Sequence, residues 1–138
     1  MIATILLMSI AGAACADGIE PGFWKITTRP EVAGNPGPPQ INMRCLSAEQ
    51  AGDIDKTFSP ETRTQNSACE RVEHEVTATK LRWRMKCTGQ MMMDVTGAFD
   101  FDTPRHYSAE ITTIASFGGQ NINSRVAIEG EHVGPWCP

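Results

Sequence analysis

Sulfur-containing side chains are concentrated in one short stretch, MKCTGQMMMD, at residues 85–94. Cys87 and four methionines fall there within nine positions. Thioether and imidazole groups are soft ligands that suit copper(I), so the stretch raises the question of a metal site. We favour hydrophobic core packing, because methionine fills irregular gaps and packs well beside tryptophan. A copper(I)-binding protein is the alternative, and its candidate ligands are His74, Met85, Met91 and Met93.

The chain carries no sequence signature of a catalytic site. It has no GxSxG nucleophile motif, no HExxH zinc motif and no glycine loop placed to hold a phosphate. Asp94, Asp100 and Asp102 lie in and beside one predicted strand, where alternation turns the first two to solvent. Acid–base catalysis by carboxylates would need two of them to converge. We therefore predict no catalytic residue and no cofactor, and we keep a small periplasmic hydrolase as an alternative.

The strands around the methionines are predicted from a strict alternation of apolar residues that begins at Val72. That period is typical of a strand with one buried face. In RVEHEVTATKLRWRMKC a reversal near residue 78 pairs Val72 with Met85 and His74 with Trp83, and it sets glutamates opposite arginines on the other face. A slip of one residue would expose the apolar face, so the sequence specifies the pairing.

Two further hairpins continue the meander. A reversal near residue 89 sets Met93 opposite Met85 and Asp94 opposite Arg84. The Gly-Gly pair in SFGGQN predicts a two-residue turn, because both glycines accept a positive φ. The resulting pairs are Ala115 with Ile122, Ile111 with Val126, and Ala109 with Ile128.

The N-terminal third is less regular. Residues 23–29 and 41–46 are predicted strands, separated by the loop PEVAGNPGPP. Ser47 and Gln50 form a capping box that opens a short helix. The predicted fold is therefore all-β, an antiparallel meander of about seven strands that forms a curved sheet or small barrel, with one short helix near residues 47–57.

Four cysteines follow residue 16, and an even number in a small exported chain indicates two disulfides. Cys69 and Cys87 lie at the open end of one predicted hairpin, where their bond requires a bulge near Glu70. Cys137 lies beyond the far end of the last strand, too far from Cys87 for the tail to return easily. We favour the pairs Cys69–Cys87 and Cys45–Cys137.

The first residues predict export. An apolar run is followed by Ala14-Cys15-Ala16, a pattern of small residues that suits signal peptidase. We interpret residues 1–16 as a signal peptide and residues 17–138 as one disulfide-stapled β domain. Lipid attachment at Cys15 is a less favoured alternative, because the preceding residues match a lipoprotein box poorly. The predicted location is the periplasm or the exterior, and no stretch is long enough for a transmembrane helix.

The charge pattern argues against a nucleic-acid partner. The formal net charge is −4, and lysine and arginine are scattered among aspartate and glutamate. Nucleic-acid binding depends on a cationic surface, which this pattern does not supply. The basic residues of one predicted strand face acidic residues on its neighbours, which indicates cross-strand pairing. We expect a monomer.

Several stretches together resemble the bacterial exported proteins of the family named domain of unknown function 3617. They are PGFWKITT, the CLS tripeptide before the short helix, the hairpin between Cys69 and Cys87, GAFDFDTPRHYSAEI and the terminal GEHVGPWC. The resemblance implies a small exported protein of undefined activity. This chain departs from the family pattern at His132, where arginine is common, and at Trp136, which is inserted before the last cysteine.

A curling antiparallel meander can enclose an apolar cavity. Large apolar side chains are predicted on its inner face, and the candidate pocket consists of Trp83, Met85, Met93, Phe99 and Tyr107. The predicted function is a non-enzymatic binding or envelope-interaction module. Its predicted partner is a small apolar ligand or an envelope protein.

Overall fold

The computed structural model describes residues 18–60, 67–89 and 91–138, and one antiparallel sheet dominates this part of the chain. The predicted signal peptide and the cysteine at position 15 lie outside the described residues. Two short helices, α1 and α2, separate the third strand from the fourth. The elements are β1 (Gly22–Val32), β2 (Asn35–Pro36), β3 (Gln40–Leu46), α1 (Ala48–Gly52), α2 (Ile54–Phe58), β4 (Ser67–Val76), β5 (Lys80–Gly89), β6 (Met92–Thr103), β7 (His106–Phe117) and β8 (Gln120–Gly134).

The sheet runs in the order β4-β5-β6-β7-β8-β1, and β2 and β3 both pair with the remaining edge of β1. Every pair is antiparallel. The prediction of an all-β meander is confirmed. The sheet is open and does not close into a barrel, and the described residues contain eight strands because two residues of the Pro/Gly loop form β2.

The predicted helical segment consists of two short helices rather than one. Ser47 and Gln50 form the predicted capping box at the start of α1. Asp53 then interrupts the helix with a non-helical backbone (φ −126°, ψ 80°). Its carboxylate accepts a hydrogen bond from the backbone N–H of Lys56 at 3.0 Å and so begins α2. Aspartate is strongly preferred as the residue that caps the N-terminus of a helix, and a capping residue has a non-helical backbone. Asp53 therefore ends α1 and caps α2.

The predicted register is confirmed in the β7–β8 hairpin, where Ala115 pairs with Ile122 across the Gly118-Gly119 turn. In the β4–β5 hairpin His74 pairs with Trp83 as predicted. The bulge lies at Val72 rather than near Glu70, and it shifts the partner of Met85 from Val72 to Arg71. The shift brings Cys69 directly opposite Cys87.

The predicted β5–β6 register is wrong by two residues. Met93 pairs with Cys87 and Asp94 with Lys86, whereas Met85 pairs with Val95. A shift of two residues keeps every side chain on its face, so alternation alone cannot detect it. Arg84 still reaches Asp94 along the diagonal and makes two hydrogen bonds of 2.7 and 2.9 Å to its carboxylate.

The core lies on one face of the sheet, which we call the inner face and define by Trp24, Trp83, Phe99 and Tyr107. Phe58 of α2 packs against this face. The opposite, outer face carries ion pairs between neighbouring strands, such as Lys25 with Glu131 at 3.1 Å. Other buried core residues are Ile19, Leu46, Ala51, Ile54, Leu81, Phe101 and Ala109.

Two disulfides link segments at opposite edges of the sheet. Cys69–Cys87 closes the hairpin at the free edge of the sheet, and Cys45–Cys137 joins β3 to the C-terminal tail. These are the pairs that the sequence favours. The second bond spans 92 positions in the chain, whereas the first spans 18.

Candidate functional site

The structure places the five predicted pocket residues on the inner face, but only three of them line one groove. Trp83, Phe99 and Tyr107 form its floor and are only 3–5% exposed. Met85 is buried farther along the same face, and Met93 is half-buried there. The methionines therefore extend the inner face beyond the groove.

The groove above this aromatic floor has a volume of about 520 Å³. Three half-buried isoleucines line it, namely Ile26 of β1, Ile111 of β7 and Ile128 of β8. Clefts of this size, mostly apolar and with a few polar groups, are typical of small-molecule sites. The side chains at its boundary also include Asn42, Met43, Arg44, Thr57, Phe58, Ser59 and Pro60.

Helix α2 forms one wall of the groove. The Phe58 ring lies 5.5 Å from the Phe99 ring and 5.1 Å from the Tyr107 ring, measured between centroids. The indole N–H of Trp83 donates a hydrogen bond to the carbonyl oxygen of Phe58 at 3.2 Å. Offset and edge-on aromatic contacts of this kind stabilise packing, so the helix end is held over the aromatic floor.

Tyr107 supplies a hydroxyl group inside the groove. Burial raises the pKa of Tyr107 to about 12, and the nearby positive charge of Arg44 partly opposes this rise. The phenol is therefore neutral near pH 7 and can donate a hydrogen bond. Its hydroxyl has no hydrogen-bond partner among the described residues, and it is open to solvent although the residue as a whole is only 3% exposed.

Arg44 is the cation of the groove. It is an exposed residue of β3, and its guanidinium carbon lies 5.7 Å from the centroid of the Phe58 ring. This is a cation–π contact, which orients the guanidinium over the wall of the groove. Arg44 forms no ion pair with a carboxylate in the described part of the chain, and no acidic residue there lines the groove.

The candidate copper ligands do not all meet. Met91 lies in the bend before β6 and is 43% exposed, whereas Met85 is buried. The imidazole Nε2 of His74 lies 2.7 Å from a carboxylate oxygen of Asp55, on helix α2. Burial raises the pKa of Asp55, but hydrogen bonds from His74 and Ser59 outweigh it and leave that pKa lowered. Within the described ranges, no three histidine, cysteine or acidic side chains form a metal-binding group.

A second histidine lies among acidic residues on the outer face. Nδ1 of His106 is 2.6 Å from Asp102 and Nε2 is 3.4 Å from Glu129. Hydrogen bonds to Asp102 and then Glu129 raise the pKa of His106, and the bond to His106 lowers the pKa of Asp102. A general base needs a free, uncharged nitrogen, and this environment favours the imidazolium instead. The carboxylate of Asp94 is engaged by Arg84, so it does not converge with Asp102.

Sequence reasoning missed Phe58 and Arg44 as groove residues. Alternation places Ile26, Ile111 and Ile128 on the inner face, so their share of the groove follows from the pattern. The contribution of Phe58 depends on where a short helix packs. Arg44 lies on β3, which pairs with β1. Both strands lie far in sequence from the floor residues Trp83, Phe99 and Tyr107, so no local pattern links Arg44 to the groove. One signal in the sequence was alternation along β3, which puts Arg44 on the opposite face from Ile41 and Met43. Both of those residues are exposed in the structure.

Comparison with protein families matches residues 19–137 to the family described as "Protein of unknown function (DUF3617)". The chain belongs to this family. The match to DUF3617 includes every strand and helix described above, and it confirms the resemblance seen in the sequence. Comparisons with curated proteins and with solved structures give no significant match.

One of the two departures from the DUF3617 pattern has a clear structural position. The His132 side chain is 4% exposed, and its ring lies edge-on to Trp24 with 5.4 Å between centroids. Its Nε2 is 3.0 Å from the carbonyl oxygen of Pro21. His132 thus attaches the segment before β1 to the end of β8. In the described portion of this DUF3617 chain, no helix has the length and hydropathy needed to span a bilayer.

Proposed function

We propose that this protein is an exported, non-enzymatic binding protein whose inner-face groove holds a small apolar ligand. The observation that carries the proposal is the groove itself, about 520 Å³ above the floor of Trp83, Phe99 and Tyr107. Its isoleucines are only half-buried although they continue the core, and covering the apolar surface that stays open is favourable. A ligand that fills the groove would supply that cover.

Export is supported by the two disulfides, which form and persist in oxidising compartments. The periplasmic location, the signal peptide at residues 1–16 and a single domain over residues 17–138 belong to this proposal. A monomeric state belongs to it as well. An envelope protein is the other partner that we consider, and the free edge of β4 offers a strand for such contact.

The two alternative functions have weaker support. Copper(I) binding would require His74 to leave Asp55 and approach methionines that differ in burial and position. A hydrolase would require a base, and His106 is held between two carboxylates that favour its charged form. No observation on the described residues favours either function over apolar binding.

Titration with a neutral apolar fluorophore, N-phenylnaphthylamine, tests the proposal. We expect saturable binding to the mature protein and a loss of about tenfold or more in affinity for Ile111→Glu, because a charge in an apolar groove is poorly solvated. Ile114→Glu is the matched control. It lies on the same strand but on the outer face, where it is 47% exposed, so affinity should change little.

A second variant separates binding from folding. Ile111→Phe keeps the site apolar and fills part of the groove, and it should also weaken fluorophore binding while the circular dichroism spectrum stays native. Absence of saturable binding to the wild-type protein would refute the proposal. Equal effects of Ile111→Glu and Ile114→Glu in folded proteins would refute the assignment of the groove.

A further inference from the structure

We propose that the ligand is a single-chain amphiphile with a carboxylate head, bound with its head at Arg44 and Tyr107 and its alkyl chain along the inner face. This inference rests on the proposed function, since it names the ligand class of the same groove. The groove is largely apolar, and Arg44 and Tyr107 are among the few polar side chains that line it, with Asn42, Thr57 and Ser59.

The charge of the groove points to an anion. Arg44 is the only charged residue among the described residues that line it, in a chain whose net charge is −4. Its guanidinium is oriented by Phe58 and forms no ion pair with a described carboxylate. A planar guanidinium donates two parallel hydrogen bonds to a carboxylate, which makes this the matching head group.

Tyr107 provides the second head contact. Its hydroxyl is inside the groove, has no partner among the described residues and stays protonated near neutral pH. No buried side-chain nitrogen or oxygen of the described residues lacks a hydrogen-bond partner, so the unpartnered hydroxyl of Tyr107 is open to solvent. A ligand oxygen can therefore reach it and accept its hydrogen bond. The guanidinium balances a single negative charge and the neutral phenol adds a hydrogen bond, which matches a carboxylate better than a phosphate monoester with two charges.

The apolar path beyond the groove accommodates an alkyl chain. From Ile128 the inner face continues along β8 through Val126 and Ser124 to Ile122, six residues or about 20 Å at the rise of a strand, and Ser124 is the one polar residue on this path. Ile122 is 51% exposed and the neighbouring Phe117 is 64% exposed. An elongated chain would cover these side chains, whereas a compact apolar molecule would cover the groove alone.

The test compares laurate with dodecanol, which has the same chain and a neutral head, by displacement of N-phenylnaphthylamine. We expect the wild-type protein to bind laurate about tenfold or more tightly than dodecanol, because the head makes charge-assisted hydrogen bonds. Arg44→Gln should bring this ratio close to one. Arg82→Gln is the matched control, since Arg82 is an exposed arginine of the outer face and should leave the ratio unchanged.

The outcomes separate this inference from the proposed function. If dodecanol and laurate bind equally to the wild-type protein, the groove binds apolar ligands but the carboxylate assignment is wrong. If dodecyl phosphate binds more tightly than laurate, the head group is wrong. If neither the fluorophore nor any of the three amphiphiles binds, the proposed function itself fails. The inference is supported if Arg44→Gln lowers the preference for laurate over dodecanol and Arg82→Gln leaves that preference unchanged.

Discussion

Two glycines set the depth of the groove at the scale of single residues. Trp83 pairs with Gly97 and Tyr107 with Gly130 on the neighbouring strands. A Cβ atom on Gly97 would lie 2.3 Å from the indole ring, and one on Gly130 would lie 2.1 Å from the phenol ring. The aromatic rings therefore lie directly over glycine backbone. Because they lie low on the sheet, space remains above them for a ligand.

Gly97→Ala should destabilise the protein by about 1–3 kcal/mol, because the new methyl group must displace a buried indole. Gly134→Ala is the control, since nothing lies within 4 Å of its added Cβ, and it should stay within about 0.5 kcal/mol of wild type. Urea unfolding followed by tryptophan fluorescence measures both. Equal midpoints for Gly97→Ala and wild type would contradict the close packing of Trp83.

At the scale of elements, helix α2 converts an exposed sheet face into a groove with a wall. Five residues are too few for a stable helix in water, so α2 depends on its contacts and caps. Asp53 begins the helix, and Phe58 packs at its end against Phe99, Phe101 and Tyr107. The hydrogen bond from Trp83 to the Phe58 carbonyl links the last turn to β5.

Phe58→Ala should reduce the free energy of unfolding by about 3–5 kcal/mol, since it removes a buried ring from an aromatic cluster. Lys56→Ala on the same helix is the control, because that side chain is exposed and its backbone N–H still donates to Asp53. Chemical denaturation gives both values. A loss below about 1 kcal/mol for Phe58→Ala would show that the helix does not pack as described.

At the scale of the whole molecule, the open sheet consists of strands that pair with their neighbours in sequence and of one pairing between strands far apart in the chain. Strands β4 to β8 each pair with their neighbour in sequence, whereas β1 returns to pair with β8. The groove needs both parts, because Ile26 lies on β1 and Ile111 on β7. Cys45–Cys137 joins β3, the partner of β1, to the C-terminal tail.

Loss of the two disulfides should therefore have unequal effects. In the chain-entropy model, the bond that spans 92 positions contributes about 4.5 kcal/mol and the bond that spans 18 contributes about 3 kcal/mol. The double variant Cys45→Ser/Cys137→Ser should be less stable than Cys69→Ser/Cys87→Ser. Urea unfolding of both variants checks the order. The reverse order would mean that strain or residual structure in the unfolded chain dominates over loop length.

The sequence by itself determined the alternation of the strands, the register of the β7–β8 hairpin and the part of the β4–β5 register between the turn and the bulge. Alternation is a local property, and the Gly-Gly turn fixes which residues of β7 and β8 face each other. The same local rule identified Trp83, Phe99 and Tyr107 as residues of the inner face. It also placed the start of α1 at Ser47, because a capping box involves residues only three positions apart.

Only the tertiary structure decided the β5–β6 register, the open edge of the sheet and the groove. A slip of two residues preserves the apolar face, so Met93 could be placed opposite Met85 or Cys87 without violating the pattern. The position of Phe58 over the floor and of Arg44 at its rim depends on contacts between segments far apart in the chain. Such contacts are set by packing of the whole molecule, which no local periodicity records.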